Sequence, residues 1–257
     1  VENISKSYGD RTLFSNISFN INEGDKIALV APNGTGKSSL MKILAGIESS
    51  DCGGEVKFMK DIRVAFLDQS FNFNPHHTIF EEVYAHMGNI APEIREYEAA
   101  VASGNSSRLE RAIASMDASG SWDIEHNIRQ VLSQLKIEQL NQPMSELSGG
   151  EAKRVALACM ILQNADFLIM DEPTNHLDID IIEYLEGYLQ RSRCTLLMVT
   201  HDRYFLDRVC NTIMEIDRGK LYTYKGNYTE YLTKREERYE NMKAEIDKSR
   251  NLLRREL

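Results

Sequence analysis

The sequence predicts an α/β fold: a mixed sheet, largely parallel, with an attached antiparallel portion and an added helical subdomain. Three observations predict it. Short apolar runs at residues 27–30, 167–170 and 195–199 have the character of strands buried on both faces. Helical patterns separate those runs, the alternation that builds parallel sheets. A long helical stretch, about residues 78–140, then interrupts the alternation.

Taken in order, Ile17, Phe19 and Ile21 alternate with Ser18 and Asn20, the pattern of a half-buried strand, and Gly24-Asp25 forms a turn. The buried strand 27–30 leads into a glycine-rich loop and a helix over 37–45, with Leu40, Ile43 and Leu44 on one side. Residues 55–58 and 63–67 are expected to be two further strands. Within 92–119, two helical patterns broken by Ser103-Gly104-Asn105-Ser106 predict a hairpin. In it, Ile94 and Tyr97 should face Leu109, Ile113 and Met116. A helix over 179–189 separates the last two buried strands, and strands at 213–216 and 221–224 join the antiparallel portion. From Tyr231 onward Leu232, Tyr239, Ile246 and Leu253 recur at heptad spacing, with Met242 between them. That predicts half of a two-helix coil.

Bulk properties narrow the class. The formal charge is -9 and the isoelectric point near 5.3, which speaks against sequence-blind nucleic-acid binding by the whole surface. A local basic stripe stays open: residues 218–257 hold eleven Lys/Arg against seven Asp/Glu. Cys52, Cys159, Cys194 and Cys210 are scattered, with no C-x-x-C pair, so reduced cytosolic thiols are expected and structural zinc is not. The longest apolar run, residues 155–162, is too short to cross a bilayer, and no signal peptide is recognisable. A soluble, cytoplasmic protein is expected. Both ends are expected to be cut, since the chain starts at Val1 and stops inside a charged helical pattern.

The loop Ala31-Pro32-Asn33-Gly34-Thr35-Gly36-Lys37-Ser38 follows a buried strand and opens a helix continuing through Ser39. Phosphates need donors that approach without side-chain obstruction, and backbone N–H groups at a helix start supply them. Gly34 and Gly36 let the chain wrap; Lys37 is expected to reach the β- and γ-phosphates of ATP and Ser38 to ligate Mg²⁺. Ala31 stands where the P-loop pattern asks for glycine, which is tolerable if its φ is negative. In isolation such a loop is also compatible with an ordinary glycine-rich turn.

Asp171 and Glu172 end a buried strand: Asp171 is placed to hold Mg²⁺, Glu172 to take a proton from an attacking water. His201, after another buried strand, is placed to polarise the γ-phosphate or orient that water. Read separately, a charged turn and a structural histidine explain these residues equally well. Leu147-Ser148-Gly149-Gly150-Glu151 opens a helix to about Leu162 and makes a second anion-binding helix start. One nucleotide has one triphosphate, so a second such site makes sense if it serves a partner domain's nucleotide; a plain N-cap is the alternative.

In order and spacing these residues resemble the ATP-binding cassette superfamily: P-loop, Gln69 after Phe66-Leu67-Asp68, LSGGE, Asp171-Glu172, a D-loop ending at Asp178, and His201. The resemblance covers nearly the whole chain and implies a P-loop NTPase core, ATP and Mg²⁺ as ligands, and ATP hydrolysis. It also implies that Tyr8 stacks on adenine and that Gln69 senses Mg²⁺ and the attacking water. Ser148, Gly149 and Gly150, with Asp178, would face the nucleotide of the opposite domain.

Residues 171–178 (Asp-Glu-Pro-Thr-Asn-His-Leu-Asp), Glu151 in the signature, and the segments from His201 to Asp207 and Tyr224 to Tyr228 look like the ABC-F branch, Ser121-Trp122-Asp123 like its Uup-like members. The resemblance implies an ATPase domain over 1–228, with a helical subdomain at about 70–165 and an arm hairpin at about 92–119. Residues 229–257 would start the helical linker to a second cassette, lying in the missing C-terminal half or supplied by a homodimer mate. It implies an ATP-gated factor that binds ribosome, rRNA and tRNA and does not insert into membranes. A transporter's motor subunit and an ATP-driven clamp on DNA junctions are the alternatives.

Overall fold

The computed structural model describes residues 1–69, 72–87 and 92–256, with side chains described through Ile246. In chain order the strands and helices are β1 (Ile4–Tyr8), β2 (Arg11–Ile17), β3 (Lys26–Val30), α1 (Lys37–Leu44), β4 (Val64–Leu67), α2 (Ile79–His86), α3 (Pro92–Ser103), α4 (Ser106–Ser119) and α5 (Trp122–Gln134). A 3₁₀ turn at Met144–Glu146 precedes α6 (Gly149–Leu162), β5 (Phe167–Asp171), α7 (Ile179–Arg191), β6 (Thr195–Val199), α8 (Arg203–Val209), β7 (Thr212–Asp217), β8 (Lys220–Lys225) and α9 (Tyr228–Glu256). They form two compact units: residues 1–64, 167–173 and 186–257, and residues 65–166 and 174–185.

In the first unit four strands pair in the order β5-β6-β3-β7, all parallel, and β8 adds antiparallel to β7. Every residue of β5 and β6 is buried, because both faces of these strands are covered. The buried strands predicted from apolar runs are therefore where expected. The strands at 213–216 and 221–224 do form an antiparallel pair, β7 with β8, while β7 also runs parallel to β3. Two other expectations need correction. The early strand lies at Arg11–Ile17, paired with β1 in a separate two-stranded ribbon, rather than at 17–21. Ile17 is buried and Phe19 and Ile21 half-buried, so the alternation reports burial without a ladder. Residues 55–58 make a single bridge, Glu2 to Glu55, and no strand; Phe58 and Met59 are exposed, leaving no buried face to fix a register.

The second unit is mainly helical. α3 and α4 form the predicted hairpin, turning at Gly104 (φ 64°), with the Asn105 side chain accepting from the Arg108 N–H to cap α4. Ile94, Ala100, Ala112 and Met116 fill its inner face, and Arg108 grips Glu96 through two bonds of 2.7 and 2.9 Å. Ile113 is exposed: the inward position one residue earlier belongs to Ala112, whose small side chain permits close approach. Tyr97 packs edge-on against Trp122 at 5.0 Å. Residues 88–91 of the predicted helical stretch lie outside the described residues, as does the side chain of Leu253.

α9 belongs to the first unit. Tyr231 is buried, Leu232, Tyr239 and Met242 are half-buried, and Ile246 is exposed. Cys159, Cys194 and Cys210 are buried free thiols and Cys52 is an exposed one. Among the described residues no helix is long and apolar enough to cross a membrane.

Candidate functional site

Strand β3 delivers the chain into the loop of residues 31–36, where Gly34 (φ 76°) and Gly36 (φ 98°) take left-handed conformations. A Cβ on Gly36 would stand 3.0 Å from Leu13 and Phe14, so a side chain there would also crowd β2. Ala31 is absent from the residues with positive φ, and its methyl group is accommodated. Thr35 Oγ1 donates to the Pro32 carbonyl at 2.8 Å and closes the loop internally.

Gly36 caps α1 and has no side chain to cap its first turn, and N–H groups at a helix start suit an anion. Lys37 Nζ curls back over the loop, donating to the carbonyls of Ala31 (2.8 Å) and Pro32 (3.3 Å) and to Asn33 Oδ1 (3.4 Å). Burial lowers the Lys37 pKa, opposed by Asp171 and Glu172. Its ammonium thus sits where a triphosphate would relieve the cost of its charge.

Ser38 Oγ donates to Asp171 Oδ2 at 2.8 Å. Asp171 is 1% exposed at the end of β5, so the pair brings a hydroxyl and a carboxylate oxygen together in a confined place. Hard oxygen donors of this kind fit Mg²⁺. Glu172 follows at φ 50°, a strained value for a non-glycine residue, with its N–H bonded to the Val199 carbonyl at 2.9 Å. This turn aims its carboxylate at His201, whose backbone N–H donates to Oε2 at 3.2 Å while Nε2 lies 3.4 Å from Oε1. Burial raises the Glu172 pKa, partly offset by His201.

Tyr8 ends β1 with 55% of its surface exposed; its hydroxyl donates to Glu48 Oε2 at 3.1 Å and accepts from Ser39 Oγ at 3.4 Å. The ring is held beside α1 with surface free to stack. The first unit therefore gathers Tyr8, residues 31–39, Asp171, Glu172 and His201.

The second unit holds the remaining predicted residues. Gln69 is exposed just past β4, its N–H donating to Asp68 Oδ1 at 2.7 Å. Ser148 caps α6 in a reciprocal box: its Oγ accepts from the Glu151 N–H at 3.3 Å, and Glu151 Oε2 accepts from the Ser148 N–H at 2.9 Å. The Ser148 hydroxyl also donates to Glu151 at 2.6 Å, which with the backbone bond holds that carboxyl below its ordinary pKa. Ser148 and Gly149 are exposed, and a Cβ on Gly150 would stand 3.5 Å from the His176 carbonyl. Asp178 is gripped by Lys136 at 3.3 Å, which bonds Asp180 at 2.7 Å. Lys136 was not foreseen, because only the fold brings the end of α5 to the D-loop.

A glycine-rich loop between a parallel strand and a helix, with a lysine, a hydroxyl and a strand-end carboxylate around it, defines a P-loop ATPase domain. The chain belongs to the ABC transporter family, whose members hydrolyse ATP: one family model of that description matches residues 14–175 and a second matches 214–257. Among curated relatives it is 46% identical to the uncharacterised ABC transporter ATP-binding protein YfmR of Bacillus subtilis, over all of this chain and 42% of that protein. It is 35% identical to the energy-dependent translational throttle protein EttA of Mycobacterium tuberculosis, over 93% of this chain and 44% of that one. Identity to ABC transporter F family member 5 of Arabidopsis thaliana is 31%, over 99% and 40%. These relatives are consistent with an ABC-F N-terminal ATPase domain. The chain spans about two fifths of their length. Among solved structures, an ATP-binding subunit of an ABC transporter matches at TM-score 0.69 and 17% identity, covering 87% of this chain and 88% of that one. A dimeric bacterial ABC transporter cassette matches at 0.63 and 24%, covering 87% and 97%. Both share the fold.

Proposed function

We propose that this chain binds and hydrolyses ATP as the N-terminal cassette of a soluble, cytoplasmic ABC-F protein, an ATP-gated factor that acts on the ribosome. The observation that carries the ATPase reading is the convergence of Lys37, Ser38, Asp171, Glu172 and His201 in one unit. In this reading residues 33–39 cradle the phosphates, Tyr8 stacks on the adenine, and Lys37 neutralises the β- and γ-oxygens. Ser38 and Asp171 would hold Mg²⁺, which would supply charge neutralisation on the transferred phosphoryl group. Glu172 accepts the proton of the attacking water, and His201 keeps that carboxylate oriented.

Ser148, Gly149, Gly150 and Asp178 serve the nucleotide of a second cassette, and a partner's equivalents complete the site here. The exposure of Ser148 and Gly149 supports this, and a structural neighbour of the same fold is a dimeric cassette. In the same reading the ATPase domain is 1–228, the helical subdomain about 70–165 with the arm at about 92–119, and the linker start 229–257.

Kinship with a translational throttle protein over 93% of the chain supports the ribosomal role, as do the α3–α4 hairpin and the charged helix α9. A transporter motor would use the same chemistry but gives no reason for these two elements; the DNA reading gains no support from these relatives. The test is co-sedimentation with ribosomes of the full-length protein carrying Glu172→Gln and its counterpart in the second cassette. ATP-dependent pelleting is expected; its absence, with ATP binding intact, overturns the ribosomal role alone.

A further inference from the structure

Arg11 opens β2 directly opposite Tyr8 in the ribbon register, and its guanidinium reaches the P-loop. Arg11 Nη2 donates to the Gly34 carbonyl at 3.0 Å. The same group stands close beside Gly34: a Cβ there would meet Nη2 at 3.3 Å and Nη1 at 3.7 Å. Gly34 thus combines a left-handed φ with a close neighbour at its α-carbon.

We infer that Arg11 is a positioning residue for the phosphate cradle: it fixes the orientation of the Gly34–Thr35 peptide. In a trans peptide the carbonyl and the following N–H point in opposite directions. Tethering the Gly34 oxygen to Arg11 turns the Thr35 N–H away from β2, toward the phosphates. A charge-assisted bond makes that setting firm, where an unrestrained glycine peptide would flip at little cost. One ribbon then places both ends of the nucleotide, with Tyr8 on the base and its cross-strand partner on the phosphate loop. The inference rests on the reading that residues 31–38 hold a triphosphate.

The test is titration of the full-length protein with trinitrophenyl-ADP and trinitrophenyl-AMP, with Lys37→Ala marking the contribution of this site. Arg11→Ala should weaken the ADP probe about tenfold and move the AMP probe, which lacks the β-phosphate, by less than about twofold. Arg11→Lys, which keeps a charged donor, should recover most of the loss, and ligand-free melting should stay unchanged. Unaltered ADP affinity in Arg11→Ala, while Lys37→Ala abolishes it, overturns the inference and leaves the ATP site standing. Equal loss of both probes with a lower melting temperature overturns it too, since Arg11 would then merely hold the ribbon. If Lys37→Ala changes neither probe, the nucleotide reading itself fails and takes this one with it.

Discussion

Glu215 stands opposite Val30 in the β3–β7 register, one residue ahead of the P-loop, and its carboxylate is tied to helix α9. Tyr231 donates to it at 2.9 Å, and Arg235 and Arg238 lie 2.8 and 2.9 Å away. From β8, Tyr224 adds a bond at 3.3 Å, and Arg238 also packs on the Tyr222 ring, 3.7 Å from its centroid. Glu215 is 3% exposed, so these contacts keep a buried charge tolerable.

Removing that carboxylate takes an ion-pair partner from both guanidinium groups and leaves Arg238 with Asp217. Glu215→Ala should cost about 3 kcal/mol in urea unfolding, and Glu215→Gln, which keeps hydrogen bonding, about 1 kcal/mol. Amide exchange in the first turns of α9 should accelerate more than in β3. Uniform acceleration in both would show that the network does not fasten the helix locally.

Glu172→Gln should keep ATP binding and abolish turnover, read by equilibrium titration and phosphate release. If turnover persists, another group accepts the proton.

The same carboxyl sets a pH dependence. Burial raises its pKa above the ordinary 4.5, so the folded state holds the proton to higher pH than the unfolded chain. Its contribution to stability is complete below 4.5 and is lost as pH climbs through the folded value. Melting of nucleotide-free protein should therefore fall over that window in wild type and not in Glu172→Gln. Turnover needs the ionised form, so its acid limb should sit above the usual glutamate range; a limb at or below 4.5 contradicts the assignment.

Gly36→Ala combines a φ of 98° with a Cβ 3.0 Å from Leu13 and Phe14. A destabilisation of about 2 kcal/mol is expected with loss of ATP binding, while Gly46→Ala, with open space around it but the same φ problem, should lose stability only. Thermal melts with and without ATP separate the two.

Ser38→Ala removes one hard oxygen beside Asp171. ATP affinity measured with Mg²⁺ should drop about tenfold, and affinity measured with chelator should stay within about twofold. Equal losses in both conditions would place Ser38 on the phosphates instead.

Much of this fold was legible because it is local. The apolar runs of β3, β5 and β6 have the length and flanking residues of buried strands, and Gly34, Gly36 and Ser148 mark their loop and cap by residue type. Ile113 was assigned inward because helical spacing fixes a face only to within about one residue, and packing chose Ala112. The strand expected at 55–58 fails because a strand needs a partner, which sequence periodicity does not supply.

By itself the sequence determined the glycine-rich loop, the strand-end carboxylates and the alternation that makes the sheet, since each depends on residue type over a few positions. Tertiary structure alone decided that Arg11 meets Gly34, that Lys136 holds Asp178 and that Glu215 binds the start of α9. Those contacts join residues 16 to 42 positions apart, and their geometry is set by strand register and helix packing, which no local pattern encodes.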